Sequence, residues 1–89
     1  MYYVYLLKSV RKPERIYIGS TKDLKKRLQE HNSNKSHFTK NYSPWELIYY
    51  EAYKSEKDAR VRESKLKQHG KGKQELKKRL LFSLQKGAG

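Results

Sequence analysis

The sequence predicts an α+β fold: a small, mainly antiparallel three-stranded sheet flanked by helices, in the order β-β-α-β-α-α. Three short runs rich in aromatic and β-branched residues, 2–7, 16–18 and 45–50, read as strands. Three further stretches carry apolar residues at helical spacing, the first two of them behind capping residues. Three strands cannot shield both of their faces, so helices must cover at least one side.

The elements follow in order. Tyr2, Tyr3, Val4, Tyr5, Leu6 and Leu7 form the first strand; Arg11, Lys12, Pro13 and Glu14 make a polar turn. Ile16, Tyr17 and Ile18 form a second strand, stopped by Gly19, and the two can pair as a hairpin with a longer connection than the tightest turns. Ser20, followed three residues later by Asp23, marks a helix start, and Leu24 and Leu28 continue that helix until it fades at Asn32, Ser33 and Asn34. Residues 33–44 read as an irregular basic loop with Lys35, His37 and Lys40, closed by Ser43 and Pro44. Trp45 opens the third strand and Glu51 closes it. Ser55 with Asp58 caps a second helix whose stripe holds Ala59, Glu63 and Leu66, broken by Gly70 and Gly72. A last helix carries Leu76, Leu80, Leu81 and Leu84. We expect one domain over residues 1–84 and a frayed tail over 85–89.

Composition narrows the function. Of 89 residues, 22 are Lys or Arg and nine Asp or Glu, a net charge of +13, with a mean hydropathy of −1.15. So basic a body implies a polyanionic partner, above all nucleic acid. The absence of Cys excludes disulfides, thiolate zinc sites and cysteine nucleophiles. The apolar run 2–7 is too short for a signal or membrane helix, so a cytoplasmic protein that engages no membrane is expected. His31, His37 and His69 lack metal-ligand spacing, and no Gly-rich phosphate loop is present.

Three constellations could carry chemistry. Tyr3, Val4 and Tyr5 precede Tyr17, Ile18 and Gly19 by a hairpin's length, so one phenol from each strand can converge; the alternative is ordinary strand packing. Arg27 and His31 lie four apart, at about −60° and −20° from Leu24 on a helical wheel, with Leu28 near +40°. They flank the apolar stripe, where an Arg suits a phosphate; the alternative is a snorkelling Arg beside an exposed His. Glu51, at a strand end, and Glu63, interrupting a helical stripe, are carboxylates suited to Mg²⁺ or Mn²⁺ shared with substrate phosphates. For Glu63 the alternative is a salt bridge to a neighbouring Lys or Arg.

Together these residues resemble the GIY-YIG nuclease family, from Tyr2 to about Leu84, and most of all its small single-domain members, which share the module with bacterial excision-repair incision proteins. Tyr3, Val4 and Tyr5 stand at the first motif, Tyr17, Ile18 and Gly19 at the second, and Arg27 and His31 on the following helix. Glu51 matches the family's metal-ligand position. Tyr3 replaces a glycine, Ser20 stands where some repair-type members have a lysine, so that no ammonium is expected there, and Glu63 stands where several place an Asn. The resemblance implies metal-dependent hydrolysis of a nucleic-acid phosphodiester, with DNA as the expected substrate. Of Tyr5 and Tyr17, either one would serve as base while the other orients the water, Arg27 and His31 would support them, and Glu51 would hold Mg²⁺ or Mn²⁺, with Glu63 a further candidate ligand. A homodimer or a partner protein would be needed for sequence specificity. The competing reading is a non-catalytic DNA- or RNA-binding module built on interleaved aromatic and basic residues.

Overall fold

The computed structural model describes residues 1–33, 39–68 and 70–85. The strands are β1 (Tyr2–Ser9), β2 (Ile16–Thr21) and β3 (Trp45–Tyr53); the helices are α1 (Leu24–Asn32), α2 (Glu56–Lys67), α3 (Lys71–Arg79) and α4 (Leu81–Leu84), with a 3-10 turn at Lys40–Tyr42. The sheet order is β2-β1-β3 and both pairings are antiparallel. The predicted class and element order stand.

The central place of β1 follows from its composition. Val4, Tyr5, Leu6 and Leu7 are all buried, an unbroken apolar run that suits a strand covered on both faces. Side chains alternate, so the strand feeds two cores. Val4 and Leu6 join Ile18, with Ala59 and Leu66 of α2 and Leu76 of α3. Tyr5 and Leu7 join Trp45, with Tyr17 and Leu47 of the sheet and Leu24 and Leu28 of α1. The protein thus has three layers: α1, the sheet, and α2 with α3.

Several boundaries differ from expectation. Gly19 does not stop β2, which continues through Ser20 to Thr21. The N-cap of α1 is Asp23, whose carboxylate accepts from the Lys26 N–H at 3.0 Å, so Ser20 is released from a capping role. The Ser55 cap of α2 forms as expected. The expected last helix is divided at Leu80 into α3 and α4, and Leu81 points outward while Leu80 and Leu84 pack against the core. β3 runs on to Tyr53, which places Glu51 inside the strand. Residues 34–38, with Lys35 and His37 of the expected loop, lie outside the described residues, as do His69 and residues 86–89 of the expected tail.

Candidate active site

The site grows from the pairing of Tyr5 with Gly19 across β1 and β2. A Cβ placed on residue 19 would stand 2.5 Å from the Tyr5 hydroxyl oxygen and 3.0 Å from Cε2 of Tyr17. Glycine therefore lets the Tyr5 phenol lie across the edge strand toward Tyr17; the ring centroids are 6.2 Å apart.

α1 brings the next two groups. His31 is fully buried at its C-terminal end, with Nε2 2.9 Å from the Tyr5 hydroxyl and its ring centroid 4.9 Å from that of Tyr17. Its other nitrogen, Nδ1, lies 2.7 Å from the Thr39 hydroxyl. Arg27, one turn earlier, pairs with Glu30 at 3.3 Å, and its charge bears on Tyr5. Burial lowers the His31 pKa to about 4, helped by the Arg27 charge. Burial also pushes Tyr5 up to about 12, against the pull of Arg27. Both groups are therefore neutral at neutral pH, one with a proton to give and the other with a lone pair to take it.

α2, from the opposite layer, reaches the same edge. Glu63 accepts from the Ser20 hydroxyl at 2.6 Å and pairs with Lys67 at 2.8 Å. Burial would raise its pKa, but the bonds from Lys67 and Ser20 prevail and lower it. Its charge bears on Tyr5, and the Lys67 ammonium lies 5.8 Å from the Tyr17 ring centroid. An ammonium is thus present beside the second motif after all, delivered by the helix rather than by residue 20. A pocket of about 250 Å³ adjoins Ser20, lined among others by Lys22 and Arg60.

Glu51 is elsewhere. It pairs with Val4 and so points to the α2 face of the sheet, whereas Tyr5 points to the α1 face. Its carboxylate accepts hydrogen bonds from the hydroxyls of Tyr49 and Tyr53 and a fork from Arg62 Nε and Nη2 at 2.9 and 3.0 Å. Burial would raise its pKa, but these donors hold the carboxyl at about 2. The expectation that Glu51 closes the strand is corrected: it lies within β3, on the face away from Tyr5, with its oxygens engaged by Tyr49, Tyr53 and Arg62. Tyr5, Tyr17, Arg27 and His31 converge, and the carboxylate at their rim is Glu63. The salt bridge weighed for Glu63 is also present. Among the described residues no three His, Asp or Glu side chains converge as a metal nest. A single carboxylate with an adjacent hydroxyl still fits an ion that takes its remaining ligands from water and phosphate.

Comparison with known proteins decides the family. Residues 1–78 match the GIY-YIG catalytic domain. The chain belongs to the GIY-YIG family. It is an enzyme of that nuclease class. A UPF0213 protein of Clostridium perfringens (strain 13 / Type A) is 37% identical over 68 residues, covering 75% of this chain and 71% of that one. Another, from Streptococcus pyogenes serotype M3, is 39% identical over 75 residues, covering 83% and 79%. The solution NMR structure of a UPF0213 protein from Bacillus halodurans aligns over 98% of this chain and 88% of that one, with a TM-score of 0.51 and 31% identity. A shorter match, 61% identical over 33 residues, is to structure-specific endonuclease subunit SLX1 of Candida dubliniensis; it covers 37% of this chain and 12% of that protein. The segments that resemble the two motifs, Tyr3 to Tyr5 and Tyr17 to Gly19, lie on the hairpin, where the aromatic site is built. Sequence reasoning missed Lys67, although its i+4 spacing from Glu63 marks an ion pair on a predicted helix. It also missed Thr39, for which a sequence carries no local signal.

Proposed function

We propose that this chain, over residues 1–84, is a metal-dependent endonuclease that hydrolyses nucleic-acid phosphodiesters, with DNA as substrate. The observation that carries the reading is the Tyr5–His31 contact: a phenol hydroxyl and a neutral imidazole 2.9 Å apart, beside a guanidinium.

Water attacks phosphorus in line with the leaving oxygen. Its proton passes to the Tyr5 oxygen as the Tyr5 proton passes to His31 Nε2, so neither residue need ionise beforehand. Tyr17, partly exposed at the rim, orients the water. Arg27 meets the charge that grows on the phosphoryl oxygens, and a phosphate bound there offsets the charge that depresses His31. Glu63, rather than Glu51, would hold Mg²⁺ or Mn²⁺, which when bound supplies neutralisation of phosphate charge. The Lys67 ammonium then turns from Glu63 to the DNA backbone, as do Lys22 and Arg60 beside Ser20. Selectivity for sequence or structure would come from a homodimer or a partner protein, and a cytoplasmic role in DNA repair belongs to the same reading.

The test is incubation with labelled single-stranded, duplex and branched DNA, and RNA, in Mg²⁺ or Mn²⁺ against EDTA. Cutting of DNA that EDTA stops is expected. Binding without cleavage of any substrate in either metal overturns the enzyme mechanism and leaves the binding module.

A further inference from the structure

His31 is held from both sides, and only one of its partners belongs to the proton path described above. The other is Thr39, itself 1% exposed, whose hydroxyl lies 2.7 Å from Nδ1. We propose that Thr39 is a positioning residue: its hydroxyl accepts the Nδ1 proton of His31 and so fixes the tautomer that leaves Nε2 free to take the proton of Tyr5. This rests on the reading of Tyr5 and His31 as the proton path.

Hydrogen-bond bookkeeping gives the direction. The Tyr5 phenol and the Thr39 hydroxyl each face one ring nitrogen of His31, and the phenol is the more acidic and therefore the stronger donor of the two. The Tyr5 residue is 2% exposed, and its own proton needs an acceptor; His31 Nε2 is the one in place. A neutral imidazole with a bare Nε2 carries its proton on Nδ1, and there the Thr39 oxygen receives it. The opposite tautomer would make the phenol accept and leave donation to the weaker aliphatic hydroxyl of Thr39.

The placement of Thr39 is over-determined. Its carbonyl accepts from the Trp45 indole N–H at 2.8 Å and from the Tyr42 N–H at 3.1 Å. Trp45 is in turn locked to Asn32, the neighbour of His31: the Asn32 amide donates to the Trp45 carbonyl at 3.0 Å, and its oxygen accepts the Trp45 N–H. The circuit His31–Thr39–Trp45–Asn32 closes on itself, tying the end of α1 to the start of β3. The groups that bear on His31 from the packed elements are Tyr5, Tyr17, Arg27 and Glu30, and the one hydrogen-bond partner at Nδ1 among the described residues is Thr39.

The test uses the full chain labelled with ¹⁵N-histidine, reading the His31 tautomer by long-range ¹H–¹⁵N correlation and cleavage by single turnover. The native chain should show the Nδ1–H tautomer. Thr39→Val keeps the shape and removes the acceptor; it should populate the Nε2–H tautomer and slow cleavage about 10- to 100-fold, the scale for losing the partner that orients a functional His. Thr39→Ser should restore both. A native Nε2–H tautomer overturns the proposal, as does a folded Thr39→Val chain with tautomer and rate unchanged. If Thr39→Val does not fold, the native tautomer decides alone. Because the tautomer is read without substrate, Thr39 is tested even if no substrate is cut, an outcome that would sink the nuclease mechanism separately.

Discussion

The Tyr5 phenol occupies the space that a side chain on Gly19 would need. The two residues are direct partners across β1 and β2, so the Tyr5 ring is aimed by an absence of atoms in the neighbouring strand. Gly19→Ala should therefore push Tyr5 off His31. We expect a stability loss of about 1–3 kcal/mol, the usual cost of forcing a methyl into packed space, and a larger relative loss of cutting. Thermal unfolding beside single-turnover cleavage measures both; unchanged cleavage would mean that Tyr5 need not lie where it does.

Tyr5→Phe removes one hydroxyl and leaves the ring packed against Tyr17 and Leu7. Cleavage should fall by about 10² or more, the scale of a lost general base, while the fold persists. Tyr17→Phe should lose less, since its role is to orient water. Equal, wild-type rates in both variants would rule out the phenol path.

The two carboxylates should dissociate cleanly. Glu51→Gln breaks the fork from Arg62 and weakens the bonds from Tyr49 and Tyr53, costing about 2 kcal/mol of stability but leaving EDTA-sensitive cutting below the melting range. Glu63→Gln should keep stability within about 1 kcal/mol, because its ion pair is partly solvated, and should abolish metal-dependent cutting. The reverse pattern would return the metal to Glu51.

Arg27→Ala should reduce turnover more than DNA affinity, because its guanidinium meets charge that grows in the transition state. Arg27→Lys should rescue poorly, lacking the planar fork. Equal losses of affinity and rate would make Arg27 a plain phosphate anchor.

Acid stability follows from two depressed pKa values. His31 at about 4 lies below its ordinary 6.5, so its contribution is complete above 6.5 and is lost as pH falls toward 4. Glu51 at about 2 lies below its ordinary 4.5, so its share is lost between 4.5 and 2. Denaturant unfolding of His31→Gln should therefore show a flatter pH dependence from 6.5 to 4, and Glu51→Gln a flatter one below 4.5. Curves parallel to wild type would contradict the burial assigned to these groups.

The hairpin and α1 were legible because their geometry is local. Alternation puts Tyr5 and Leu7 on one face, helical spacing puts Arg27 and His31 beside Leu28, and the connections between them are short. The ion pair of Glu63 was legible too, from the Lys and Arg around it on its helix, but the surroundings of Glu51 were not, because a strand residue changes face with each step in register. Reading β3 as ending at Tyr50 left Glu51 free at a strand end, whereas the strand continues to Tyr53 and carries an irregularity opposite Leu6 and Leu7. Thr39 and Asn32 act through contacts closed only by the tertiary fold, and no period or motif announces them.

Tyr5, Tyr17 and His31 hang from the layer that α1 shares with the sheet, and Glu63 and Lys67 from the layer behind it, meeting only at the outer margin of β2. No supersecondary fragment of the chain holds the whole set. On the proposed mechanism, cutting power should then vanish when either helix lifts away, well before the sheet melts, so that activity would report partial unfolding before loss of structure does.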